Sequence, residues 1–433
     1  MERKFIGKLR DWESFGQKEP LLIVGARQVG KTWLIRHFCQ EQYKDYVYVN
    51  LEERPDLASV FEGRLDPEEI IRNLEILLGK RIDPSACAIV IDEIQKSERA
   101  ITSLKYFCES DTPYRVIGAG SLLGVKLNRF SSSFPVGKVK ILHMHPMDFE
   151  EFLLAAGEDL LRDAIISSFS TMTPLPEAVH EKAIRLYTDY LYVGGMPQAV
   201  QNYVGGGKNA MQFDRDIHRS LSTAYTADMT KYTQSPAEGV KIAQTYSSIP
   251  RQLAKENPKF KYSLIREYAG KRDFESAIDW LTASEMVLRS TSVEIPKVPL
   301  SVYLQPGIFK LYLSDVGLLC TLSGMQYRDL LPDSHNIFKG ALTENYVLES
   351  FTANEIPGYY YKPNPGMEID QLLEQDGEVI PVEIKSGRHK RSTSLKNYMQ
   401  KYGPSKAYRI SELNFGVSGS LFSIPLYAVF CIK

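Results

Sequence analysis

Cysteine is scarce and unpaired in this chain: Cys39, Cys87, Cys108, Cys320 and Cys431 are odd in number, widely scattered and free of any C-x-x-C pair. That excludes a disulfide framework and a cysteine zinc site, and leaves small buried apolar residues in a reducing compartment as the simplest reading. Long hydrophobic runs are missing too. No stretch approaches roughly eighteen uninterrupted apolar residues, and Met1 to Arg10 lacks the apolar core of a leader, so a cytoplasmic protein without membrane contact is expected. Excess charge is absent as well: 52 basic and 53 acidic residues give a formal net charge of -1, so any polyanion binding must come from local clusters. What is present is the composition of soluble globular domains, 43% hydrophobic and 24% charged, over 433 residues that suggest two or three packed units.

Leu21 to Val24 is a short apolar run that ends at Gly25, and Leu34 and Phe38 mark one helical face over Lys31 to Gln40. Between them lies Gly25-Ala26-Arg27-Gln28-Val29-Gly30-Lys31-Thr32, which fills every fixed position of G-x-x-x-x-G-K-[ST]. The glycines let successive N–H groups turn inward onto a β-phosphate, and the helix that follows adds its positive end. Lys31 then reaches the β- and γ-phosphates of ATP, and the Thr32 hydroxyl is a ligand for Mg²⁺.

The second half of such a site is an acid at the end of a neighbouring buried strand. Ala88 to Asp92 supplies the continuous apolar run of a strand covered on both faces, ending in Asp92 and Glu93. Asp92 would hold Mg²⁺ through water, and Glu93 would orient and polarise the attacking water. A further strand, Tyr114 to Gly118, leads to Ser121, a candidate sensor of the γ-phosphate. A glycine loop alone can be a turn, and an apolar run ending in two acids is often a strand leaving the core. Both in order, each with its strand context, point to nucleotide. Tyr46 to Val49 and Lys138 to Leu142 are further candidate strands, and Ile70, Ile71, Leu74, Leu77 and Leu78 lie at helical spacing, so a parallel α/β sheet is expected over 1–165.

A looser region from about Ala155 to His180 holds the breaker cluster Thr171 to Pro176, and a helical region is expected over 166–235, with a tight turn at Gly194-Gly195-Met196-Pro197. Phe213, Ile217, Leu221 and Tyr225 repeat every fourth residue, as in a long amphipathic helix. Over 236–300 the pattern is three short helices, the third capped by Asp273, and then a hairpin-like pair of apolar stretches, which resembles a winged helix-turn-helix. Arg251 to Arg272 carries Arg251, Lys255, Lys259, Lys261, Arg266, Lys271 and Arg272 against Glu256 and Glu267, with Phe260 and Tyr262 interleaved. Such a segment can neutralise phosphates, but a charge run is also how a solvated face looks.

Over 301–433 a helix from Phe338 to Phe351 bears Glu344, and two strands, Met367 to Glu374 and Val379 to Lys385, meet at a turn Gln375-Asp376-Gly377. Alternation puts Glu368, Asp370 and Leu372 on one face of the first strand and Glu383 with Lys385 on one face of the second, so three acids and a lysine can converge. Asp370 and Glu383 would bind a second Mg²⁺ or Mn²⁺, Glu344 would complete or order its shell, and Lys385 would help form hydroxide or stabilise charge on a phosphate. From Ser386 to Ile410 there is no acid, whereas Arg388, Lys390, Arg391, Lys396, Lys401, Lys406 and Arg409 are basic. A hairpin whose charges pair with one another is the plainer alternative.

The P-loop, the strand ending at Asp92-Glu93, the Gly194 to Pro197 turn, the segment Ile249 to Leu253 and the hairpin with Glu368-Ile369-Asp370 and Glu383-Ile384-Lys385 together resemble a bacterial and archaeal AAA-type ATPase fused to a C-terminal domain of unknown function. The last hairpin is similar to the PD-(D/E)XK nuclease core. The resemblance implies an AAA-type parallel sheet, a helical and winged-helix middle and a C-terminal α/β restriction-endonuclease-like domain, with Glu344, Asp370, Glu383 and Lys385 in metal and catalytic positions. One departure concerns Gly137-Lys138, where such ATPases commonly carry glycine-arginine; lysine gives a point charge in place of a planar fork, with Arg129 as a candidate substitute. The leading expectation is an ATPase whose nucleotide controls a nuclease-like module acting on nucleic acid, DNA rather than RNA. The competing one is an ATP-gated protein-interaction switch with a catalytically inactive nuclease-like domain. A remodelling ATPase that self-associates is a third.

Overall fold

The computed structural model describes residues 1–14, 19–128, 134–231, 233, 235–255, 259–332, 334, 336–364, 367–387 and 393–433. They divide into two units, one of residues 3–145 with 283–285 and one of residues 1–2, 146–282 and 286–433.

In the first unit, α1 (Phe5–Ser14) precedes β1 (Leu21–Val24), α2 (Lys31–Gln42), β2 (Asp45–Asn50), α3 (Pro67–Leu78), β3 (Cys87–Asp92), α4 (Glu98–Glu109), β4 (Arg115–Gly120), α5 (Leu123–Asn128) and β5 (Lys140–His143). The strands lie in the order β2-β3-β4-β1-β5 and every pair is parallel. β1 and β3 are buried along their whole length, which is why both read as unbroken apolar runs rather than alternations. One expectation is corrected here: β3 is not the neighbour of β1, because β4 runs between them. Helix α3 starts where Asp66 accepts the Glu68 N–H and Pro67 presets the first turn, and stops at Gly79, whose φ is 66°. Its buried stripe is Ile70, Ile71 and Leu74, while Leu77 is 48% exposed and lies off the face that the spacing suggests.

In the second unit, α6 (Phe149–Ala155), α7 (Asp159–Thr171), α8 (Glu177–Val193), α9 (Pro197–Gly205), α10 (Asp216–Lys231), α11 (Pro236–Leu253) and α12 (Lys271–Ala283) precede β6 (Val287–Val293), β7 (Leu304–Leu313), α13 (Val316–Leu322) and α14 (Phe338–Ala353). The chain continues through β8 (Tyr359–Asn364), β9 (Met367–Ile369), β10 (Gln371–Gln375), β11 (Glu378–Ile384), α15 (Thr393–Tyr402), β12 (Ala407–Ser411), β13 (Gly416–Ser418) and β14 (Leu421–Pro425). The stretch that reads as loose from Ala155 to His180 is largely helix α7, since its breakers only begin at Met172 in the left-handed conformation. Helix α11 is 18 residues long rather than short. Asp273 lies inside the first turn of α12 and reaches back to accept the Gly270 N–H at 2.8 Å, the reciprocal half of a capping box.

Strand β6 pairs antiparallel with β7 and parallel with β8, so the hairpin-like pair belongs to a four-stranded sheet, β7-β6-β8-β9. A second sheet runs β10-β11-β12-β14-β13. The Gly194 to Pro197 turn is held from below by fully buried Asp315, whose Oδ2 accepts the Gly195 N–H at 2.6 Å and whose Oδ1 accepts the Leu318 N–H at 2.8 Å. Glu349 is buried beside it, accepting the Tyr190 hydroxyl at 2.6 Å and the Val316 N–H at 2.9 Å. Burial is the main cause that lifts the Asp315 carboxyl to about 6 and Glu349 well above the carboxylate range. Among the described residues no helix is long and apolar enough to cross a membrane.

Candidate nucleotide site and carboxylate cleft

The loop from Gly25 to Thr32 joins β1 to α2, and its two glycines serve different ends. A Cβ on Gly25 would lie 2.3 Å from the Met144 carbonyl oxygen, so this glycine admits the backbone that follows β5. Gly30 supplies a φ of 97° at the N-cap of α2, and Gln28 is also left-handed at 66°. Ala26 and Val29 are buried, Arg27 is half-buried and Gln28 exposed. Lys31 is buried, and its Nζ donates to the carbonyls of Gly25 at 2.7 Å and Ala26 at 2.8 Å. Burial pulls its pKa down to about 8, against the pull of Glu93, Glu285 and Asp92. A phosphate would offer this ammonium a charged acceptor in place of two neutral carbonyls.

Thr32 Oγ1 donates to Asp92 Oδ2 at 2.7 Å, and Tyr48 donates to the same oxygen at 2.6 Å. Asp92 Oδ1 accepts the Glu93 N–H at 2.9 Å. Glu93 follows in the left-handed region, φ 52°, and accepts a hydrogen bond from Gln95 Nε2. Burial, and then the charge of Asp92, raises the Glu93 pKa. Gln95 is itself packed on Gly120, where a Cβ would lie 1.9 Å from its Oε1. Ser121 follows β4 and is half-buried. Lys138 pairs with Glu109 at 3.3 Å, and Arg129 lies outside the described residues.

Several residues at this site carry no local mark in the sequence. Arg3 donates to the Val29 carbonyl and to the His145 carbonyl, both at 2.8 Å, and so ties the loop to the segment after β5. Glu285 pairs with His143 and has its second oxygen 4.0 Å from His145 Nδ1. Both lie far from the loop in sequence. Tyr48 is the exception: alternation along β2 puts Tyr46, Tyr48 and Asn50 on one face, and β2 pairs with β3 up to Asn50 opposite Asp92.

The second unit holds a cleft of about 350 Å³ lined by Glu344, Glu368, Asp370 and Glu383 and by Lys259, Lys310, Lys362 and Lys385. The single strand expected from Met367 to Glu374 is two strands, since the chain leaves the β8–β9 sheet at Asp370 and joins β11 through β10. The shared face expected for Glu368, Asp370 and Leu372 fails for Leu372, which is buried in an apolar cluster with Ile369, Leu395 and Tyr398. The two-residue turn is Asp376-Gly377, at φ 52° and 77°.

Asp370 Oδ2 accepts the Ile384 N–H at 2.7 Å. Burial, then Glu383 and Glu344, push its carboxyl well above the ordinary range. Glu383 is 4% exposed, pairs through Oε1 with Lys385, and has its buried Oε2 without a hydrogen-bond partner. Burial works against the Lys385 ammonium, but Asp370 and Glu383 raise its pKa. Glu344 accepts the Tyr312 hydroxyl at 2.9 Å and sits 3.7 Å from Lys310 Nζ. The three-acid shell of Glu344, Asp370 and Glu383 is not assembled: among the described residues no group of three or more His, Cys, Asp or Glu is placed to hold an ion. Phe260 is buried against Phe309, so it is not interleaved with the exposed basic residues Arg251, Lys255, Lys259, Lys261, Arg266, Lys271 and Arg272. Arg388, Lys390 and Arg391 lie outside the described residues.

Three family models match the chain in succession: an AAA domain over residues 17–153, and two domains of unknown function over residues 184–329 and 339–427. The search of curated proteins finds no match. Among solved structures, the Walker-type ATPase PABY2304 of Pyrococcus abyssi is 13% identical, with 74% of this chain and 95% of that one covered at a TM-score of 0.45. The ORC2 protein of Aeropyrum pernix, in ADPNP-ADP complexes, is 14% identical, with 73% and 89% covered at 0.32. The replication initiator DnaA bound to AMPPCP and single-stranded DNA is 14% identical, with 62% and 81% covered at 0.26. At these scores the likenesses carry no functional inference. The N-terminal unit is an AAA-type P-loop α/β domain, on its parallel sheet and its family match.

Proposed function

We propose that the chain binds ATP with Mg²⁺ on the loop Gly25 to Thr32 and hydrolyses it, with Asp92 and Glu93 as the acidic half of the site. The observation that carries this is the meeting of Thr32 Oγ1 and Asp92 Oδ2 at 2.7 Å beside a buried lysine that caps the loop's own carbonyls. A hydroxyl and a carboxylate oxygen side by side suit Mg²⁺, which keeps most of its waters and takes few protein ligands. Bound there, Mg²⁺ would offset the charge of the phosphate oxygens. Lys31 would neutralise the β- and γ-phosphates, and Glu93, set by Gln95, would accept the proton of an attacking water held in line. Ser121 stands as the residue that would meet the γ-phosphate. Steady-state phosphate release by the wild-type chain, absent in Lys31→Ala, tests the assignment.

The cleft supports a second step of the reading, in which the bound nucleotide controls a module acting on nucleic acid. Glu383 Oε2, buried and unpartnered, together with Asp370 fits one divalent ion, and Lys385 beside them fits a phosphate. The competing reading, an ATP-gated switch without nuclease chemistry, draws support from the lysines that already balance the cleft's acids. Cleavage of DNA with Mg²⁺ or Mn²⁺, assayed with and without ATP, separates the two.

A further inference from the structure

We propose that Lys310 is a built-in counter-ion that engages Glu344 and Glu368, so that the cleft takes a single divalent ion, held by Asp370 and Glu383. This rests on the reading of the cleft as a cation-dependent site.

Lys310 projects from β7 with a side chain only 12% exposed. Its Nζ lies 2.8 Å from Glu368 Oε1, 3.7 Å from Glu344 Oε2 and 5.3 Å from the centre of the Tyr360 ring. The aromatic face adds a third partner for a largely buried cation. Burial works against this ammonium, but Tyr312, Glu344, Glu368 and Asp370 hold its pKa well above the ordinary lysine value. Lys362 pairs with the second oxygen of Glu368, and the Tyr312 hydroxyl bonds the Glu344 oxygen that faces Lys310.

A divalent ion sits about 2.1 to 2.5 Å from carboxylate oxygens. Placed on Glu344 or Glu368 it would lie within a few ångströms of a fixed ammonium, where like charges repel. Glu383 also carries an ammonium, Lys385, on its Oε1, but its buried Oε2 has no hydrogen-bond partner, whereas Glu368 is paired with a lysine through each of its oxygens. Among the described residues four carboxylates and four lysines line the cleft, so one divalent ion tips this lining toward positive charge, suited to a phosphate diester rather than to a free cation.

The test is Mn²⁺ titration of the nucleotide-free, full-length chain, with free Mn²⁺ read by electron paramagnetic resonance and folding by thermal melts. The expected result is that Asp370→Asn lowers the ion count by one, Glu344→Gln leaves it unchanged, and Lys310→Met raises it by one. Lys310→Arg, which keeps the charge, should leave the count at the wild-type value. Should Asp370→Asn leave the count unchanged, the cleft is not a cation site and the underlying reading falls. If Asp370→Asn removes an ion but Glu344→Gln also removes one, or folded Lys310→Met gains none, the counter-ion role alone is overturned. Where Lys310→Met does not fold, Glu344→Gln decides the matter.

Discussion

Thr32 and Asp92, 60 residues apart in sequence, share a hydrogen bond of 2.7 Å that joins the first turn of α2 to the carboxyl end of β3. The bond spans the place of β4, which separates β1 from β3 in the sheet. Parallel strands all end at the same edge of the sheet, so a one-strand gap is bridged by side chains reaching along that edge. Tyr48 completes the arrangement from β2 by donating to the same carboxylate oxygen.

The Glu93–Gln95 contact offers a way to test binding and turnover separately. On the assignment proposed above, Glu93→Gln keeps the nucleotide cradle and removes the proton acceptor, so ATP affinity should be retained while turnover falls at least about 100-fold. Gln95→Ala should leave affinity within about threefold and lower turnover by roughly tenfold, because Glu93 loses the partner that orients it. Equilibrium nucleotide binding and steady-state phosphate release, run on both variants, check this.

Gly195 is required by packing rather than by flexibility. A Cβ there would lie 1.8 Å from the Met147 carbonyl oxygen, which lies 2.7 Å from the Tyr190 hydroxyl oxygen, and the Gly195 N–H is bound by Asp315. Gly195→Ala should destabilise the unit by about 3 kcal/mol or more, since backbone must shift around a buried carboxylate. Gly205→Ala, with open space around the new methyl at the end of α9, should change stability by less than about 1 kcal/mol. Chemical denaturation of the two variants against wild type is the measurement.

His218 gives the second unit an acid sensitivity of known sign. Its ring is buried, with Nδ1 2.8 Å from the Thr321 hydroxyl and Nε2 2.9 Å from the Val193 carbonyl. Burial, and then Arg215, lowers its pKa to about 3. The unfolded chain, titrating near 6.5, therefore binds the proton first, so the stability contributed by neutral His218 is full above about pH 6.5 and is lost as pH falls toward 3. The full loss is about 5 kcal/mol. In His218→Asn, the melting temperature should fall less steeply between pH 6.5 and pH 4 than in wild type; equal slopes would contradict the assignment.

For the cleft, Mg²⁺- or Mn²⁺-dependent cleavage of DNA should vanish in Asp370→Ala and in Lys385→Ala. Lys385 pairs with Glu383, so its loss removes a cation from the site and leaves Glu383 in place. Gel analysis of a labelled duplex gives the answer, and cleavage persisting in both variants takes these residues out of the chemistry.

The nucleotide unit was legible because its marks are local. Gly25, Gly30, Lys31 and Thr32 sit in one loop, and the strand before Asp92 is an apolar run that only a doubly covered strand needs. The strand Tyr114 to Gly118 was legible but its place between β1 and β3 was not, because strand order is set by crossover packing rather than by any residue within a strand. Arg3 and Glu285 escaped for a related reason, as Arg3 reaches the loop and Glu285 the end of β5, each from a distant segment. In the cleft, alternation held up to Asp370 and failed beyond it, since a strand that changes sheets at a bend no longer keeps one face. Lys310 lies in a run, Phe309 to Leu313, whose pattern suggests only a strand, and its pairing with Glu344 and Glu368 depends on helix α14 and strand β9.

Isothermal calorimetry of ATP into the well-folded chain with Mg²⁺ tests the central claim most directly. Saturable binding by wild type, weakened at least about 100-fold in Lys31→Ala, is the result predicted from the loop geometry. No heat from the wild-type chain, or unchanged affinity in the variant, would contradict it.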